Sequence, residues 1–84
     1  MKINIRLLKT QSLKYTGNFN SGMITNVNND MIVEIIIEKI GLNYHIMFAN
    51  NGFLIQMWCD DFYVMDKDNN KLYDKEDLIN GLEY

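Results

Sequence analysis

Asn51-Gly52 stands between two apolar runs, residues 44–49 and 53–58, and it constrains the fold more than any other feature of the chain. Both central residues of a type I′ turn need positive φ, which Asn and Gly adopt with little strain, so the spacing predicts a tight β-hairpin. The rest of the chain is read around that hairpin. Residues 2–8 alternate polar Lys2, Asn4 and Arg6 with apolar Ile3, Ile5 and Leu7, the period of a half-buried strand. Thr16 to Gly22 (TGNFNSG) is turn chemistry, residues 23–27 are a short strand candidate, and Asn28-Asn29-Asp30 is a tight turn.

Residues 31–40 carry two competing signals. Ile32, Val33, Ile35, Ile36, Ile37 and Ile40 are β-branched and favour a strand. Against this, Asp30 is a helix-capping residue, Glu34 and Glu38 are spaced i,i+4, and Gly41 sits where a helix would end. The strand is preferred because short apolar strands follow it in meander fashion. Residues 62–65 and 71–73 read as two more strands around a turn at 66–70. Asp74 then caps a helix over 75–82, with Leu78, Ile79 and Leu82 as its apolar stripe. The expectation is one small α+β domain over 1–84: an antiparallel meander of five or six strands with one C-terminal helix packed on one face.

Composition bounds the function. With 84 residues the core is modest, because a chain of this size buries only about 60% of its unfolded surface. No apolar run approaches the length of a membrane-spanning helix, and the N-terminus lacks the apolar segment of a secretory signal. One cysteine, Cys59, excludes an internal disulfide and suits a reducing cytoplasm. Ala49 is the one alanine, Arg6 the one arginine and proline is absent, whereas Asn, Ile, Lys and Tyr abound, a bias expected of AT-rich coding.

Catalytic signatures are weak. His45 is the one histidine and lies in a predicted strand, and a His45–Cys59 pair falls short of a structural zinc set. Asp60 and Asp61 follow the thiol and raise its pKa, the wrong direction for a nucleophile. No phosphate loop, HExxH or nucleophile elbow occurs, so no enzyme and no cofactor are expected.

Residues 62–82 resemble an EF-hand calcium loop with its flanks. Asp66, Asp68, Asn70, Asp74 and Asp77 fall at ligand positions, with the Leu72 carbonyl at the seventh and Phe62 four residues before the loop. Lys71 stands where the family has glycine, Tyr73 where it has a small aliphatic, and Asp77 where it has glutamate. A hairpin turn running into a capped helix accounts for the same residues and is preferred over calcium binding.

Charge is distributed unevenly. Lys2, Arg6, Lys9 and Lys14 lie in residues 1–29 without an acid, and with Tyr15 and Phe19 they form at most a slight nucleic-acid footprint. Seven carboxylates between 60 and 77 are interleaved with Trp58, Phe62, Tyr63 and Tyr73. Asp60, Asp61, Asp66 and Asp68 with those four aromatics are the candidate partner-binding residues: aromatics anchor, while carboxylates steer and set register. The complement is a host protein effector with a basic, nucleic-acid-binding surface. In type, though not in any residue string, the chain resembles the anti-CRISPR proteins of phages and mobile elements. That likeness implies an inhibitor acting in the bacterial cytoplasm or infected cell, by steric blocking or nucleic-acid mimicry. The alternative function is a self-associating regulatory module, with residues 33–37 pairing across a sheet edge to form a homodimer.

Overall fold

The computed structural model describes residues 1–18, 20–26, 33–50 and 52–81. Among the described residues there are eight strands and one helix: β1 (Lys2–Leu7), β2 (Ser12–Thr16), β3 (Ser21–Thr25), β4 (Val33–Ile40), β5 (Asn43–Asn50), β6 (Phe53–Cys59), β7 (Asp61–Met65), β8 (Lys71–Tyr73) and α1 (Lys75–Ile79). They form two antiparallel sheets, ordered β1-β4-β5-β6 and β3-β2-β7-β8. This corrects the expected single meander. β4, β5 and β6 do run as a meander, but β1 pairs with β4 rather than with its sequence neighbour, and β2 pairs with both β3 and β7.

Alternation puts one face of each sheet into a shared core. Ile5 and Leu7 of β1, Ile35 and Ile37 of β4, and Ile46 of β5 pack with Leu13, Phe62 and Val64 of the second sheet. The Tyr44 and Phe62 rings meet edge to face at 5.2 Å, which locks one sheet onto the other. Such contacts need both partners desolvated, and Phe62 is only 1% exposed. On the outer face of the first sheet, Arg6 and Glu34 stand opposite each other and pair at 3.4 Å.

The chain leaves β1 through a turn in which the Gln11 N–H donates to the Leu8 carbonyl at 3.0 Å. Thr10 adopts φ 77° there, a region that β-branched residues avoid. The Asn26 amide closes the same end by donating to the Leu7 carbonyl at 3.0 Å. Residues 33–40 are strand, and the glycine that suggested a helix end instead opens a hairpin. Gly41 holds φ 64° in the two-residue turn between Ile40 and Asn43. β4 therefore lies between β1 and β5, so residues 33–37 are not at an edge and cannot pair with a second copy as expected.

β5 and β6 form the hairpin that the spacing predicts, with Asn50 opposite Phe53 and Gly52 at φ 85°, while Asn51 lies outside the described residues. Asp74 caps α1 in a reciprocal box. Its carboxylate accepts from the Asp77 N–H at 2.8 Å, and the Asp77 carboxylate accepts from the Asp74 N–H at 3.1 Å. Leu78 enters the core, and α1 packs against β7, β8 and β1. The expected turn at Asn28-Asn29-Asp30, Phe19 and Leu82 lie outside the described residues. No helix among the described residues is long and apolar enough to cross a membrane.

Candidate functional site

β6 and β7 meet at Asp60, where the chain crosses from one sheet to the other. The Asp60 N–H donates to the Thr16 carbonyl at 2.8 Å and extends the β2–β7 ladder by one bond. Gly17 follows Thr16 and passes against the end of β6 so closely that a Cβ there would stand 3.2 Å from the Cys59 Cα. That approach forms one wall of an open cleft of about 480 Å³. Trp58 and Asp60 line it together with the amides of Asn18, Asn20, Asn43 and Gln56.

Trp58 is 49% exposed and lies on the outer face of β6, opposite His45. The two rings are 4.8 Å apart, which fixes the indole and leaves part of its surface open. Cys59 is the next residue and points into the core, so His45 and Cys59 face opposite sides of one sheet and form no catalytic pair. Burial, then Asp60 and Asp61, pushes the Cys59 thiol up to about 11. The acids act in the direction read from the sequence, but burial is the larger cause.

The eight expected partner-binding residues do not make one surface. Trp58, Asp60 and Asp61 share the β6–β7 corner, whereas Asp66 and Asp68 lie beyond the far end of β7. Phe62 is corrected to a core residue, for the packing reason given above. Tyr73 is half-buried and packs against the core. Tyr63 lies under the Lys71 ammonium, 4.7 Å from the ring centroid, and Lys75 approaches Asp61 at 3.9 Å. Two lysines thus dilute the acidic surface. The cleft amides carried no warning in the sequence, because three separate segments contribute them.

The five expected calcium ligands are likewise not brought together. Asp66 is consumed by its own turn: Oδ1 accepts from the N–H groups of Asp68 at 2.8 Å and Asn70 at 2.9 Å. The Asn70 backbone bond, first, holds the Asp66 carboxyl below its ordinary value. Lys71–Tyr73 then pairs with β7 instead of wrapping an ion, and Asp74 and Asp77 are spent on each other's backbone. Among the described residues, no three His, Cys, Asp or Glu side chains are placed to hold a metal. The EF-hand resemblance is therefore corrected to a β-hairpin followed by a capped helix.

No protein-family model, curated protein or solved structure matches this chain. The functional reading rests on its own residues.

Proposed function

We propose that the chain is a non-enzymatic protein-binding module whose contact is the corner of Trp58, Asp60 and Asp61. The observation that carries this reading is the position of Trp58. A half-exposed indole, steadied by His45, stands at the lip of a cleft lined by Asp60 and several Asn and Gln residues, with Asp61 next in the chain. An aromatic anchor ringed by polar groups is the composition of a binding hot spot. Adjacent carboxylates suit a partner with a basic surface, and proteins that hold nucleic acid carry such surfaces. In its full form the proposal is an inhibitor of the phage or mobile-element type, in a bacterial cytoplasm, covering the nucleic-acid-binding face of a host effector. The raised Cys59 thiol and its separation from His45 favour binding over chemistry.

The test is capture from lysate of a low-GC bacterium on the tagged chain, with washes at low and high salt, followed by titration of the purified partner. The expected result is a nucleic-acid-binding protein retained at low salt, released at high salt and competed by nucleic acid. Trp58→Ala and the pair Asp60→Lys, Asp61→Lys should each weaken binding at least ~10-fold. Retention undiminished in those variants would overturn the assignment of the corner.

A further inference from the structure

We infer that the outer edge of β6 is a self-association surface, pairing antiparallel with β6 of a second copy. Two-sheet folds have four edge strands, and an open edge templates another strand unless it is guarded. Two of the edges here are guarded, and a third is short. β1 bears Lys2 and Arg6 and is contacted by α1. β8 has three residues and begins with Lys71. β3 carries no charge but has only five residues, with Gly22 offering no side chain to flank a seam. β6 runs seven residues, FLIQMWC, without a charge or a proline.

Backbone geometry shows which groups are available. A two-residue hairpin makes Asn50 and Phe53 the hydrogen-bonded pair beside the turn, so alternate residues from Phe53 onward bond β5. The N–H and C=O groups of Leu54, Gln56 and Trp58 then point away from β5. Two contacts agree with that parity: the Trp58 carbonyl faces Gly17, and the Asp60 N–H reaches Thr16. Leu54 and Gln56 lie short of that covered end and offer two donors and two acceptors in line.

The occupant follows from charge. In a two-fold pairing with Ile55 opposite its counterpart, Leu54 faces Gln56 of the second copy and Phe53 faces Met57, so no like charges meet. Asp60 and Asp61 of the two copies fall at opposite ends of the joined strands. The same operation on β1 would set basic residues against each other on one face. Phe53 and Leu54, 73% and 61% exposed, supply apolar area beside the seam. A foreign strand would gain the same backbone bonds but finds no charge on β6 to select it. The product is one continuous eight-stranded sheet across the two-fold axis.

The test is sedimentation equilibrium of the full chain from low micromolar to millimolar concentration, with three variants. Gln56→Pro removes an outward N–H while leaving the β5 ladder intact, and Leu54→Lys installs the missing guard. Met23→Lys places the same charge on exposed β3. The expected result is a reversible dimer whose dissociation constant rises at least ~10-fold in Gln56→Pro and Leu54→Lys and is unchanged in Met23→Lys. If Gln56→Pro loses its β circular-dichroism signal, Leu54→Lys decides alone. A wild-type chain monomeric throughout, a dimer indifferent to the β6 variants, or one broken by Met23→Lys would each overturn the inference.

Discussion

Gly17 lies against Cys59: a Cβ at position 17 would sit 3.2 Å from the Cys59 Cα and 3.3 Å from the Asn20 carbonyl oxygen. Both obstacles are backbone, which cannot swing aside as the end of a side chain can. Gly17→Ala is therefore expected to lower stability by about 1–2 kcal/mol, as overpacking does. Urea unfolding checks this. A variant as stable as the parent would mean that the turn gives way without loss.

Thr10 holds φ 77° in the β1–β2 turn, where glycine has no Cβ to clash. Relief of strain of roughly 1–3 kcal/mol outweighs the added freedom of the unfolded chain, roughly 0.5–1 kcal/mol. Thr10→Gly should raise the unfolding midpoint, and Thr10→Pro should lower it sharply, because proline cannot reach positive φ. Thermal melts of the two variants distinguish the cases.

The β7–β8 turn carries its own pH dependence. Hydrogen bonds from Asn70 and Asp68 hold the folded Asp66 carboxyl below its ordinary value of 3.8. Because the folded pKa is depressed, this stabilisation is complete above the unfolded value. It is lost as pH falls through the folded pKa. Asp66→Asn should remove that portion of the acid limb in a stability-versus-pH series while leaving the steeper loss from other carboxylates.

Cys59 is buried and its thiol pKa stands near 11, so alkylation of the folded chain should be slow at neutral pH and still be rising at alkaline pH. The Asp60→Asn, Asp61→Asn pair should lower the apparent pKa only partly, since burial is the first cause. Rates with a small haloacetamide across pH measure both effects.

Millimolar calcium or a chelator should leave the melting temperature unchanged, because a ligand raises it only by binding the native state. Asp74→Ala, by contrast, should cost about 1 kcal/mol through loss of the helix cap.

Local features were legible in the sequence, and non-local ones were not. The β5–β6 hairpin and the Asp74–Asp77 box depend on residues within four positions of one another, so their residue types suffice. The partner of β1, and β7 beside β2, lie dozens of residues away, and the alternation of Ile3, Ile5 and Leu7 gives a buried face without saying which strand lies alongside. β2 itself was hidden because Ser12–Thr16 is short and runs directly into turn residues. At the candidate site, residue type alone singles out Trp58 and Asp60, and the structure sets both along one cleft. Strand parity removes Phe62 from the candidate surface: Phe62 and Val64 share the inward face of β7, with Tyr63 on the other.

The interleaved pairing sets a schedule for synthesis. The β4–β5–β6 meander closes through two-residue turns and can form as soon as it leaves the ribosome, and β1 can then join it. The second sheet has to wait, because β2 lacks its inner neighbour until β7 has been made. In that interval the inward face of the first sheet, with Ile35, Ile37 and Ile46, is bare. Nascent chains stalled before β7 should therefore engage chaperones that capture apolar surface, and those stalled after α1 should not.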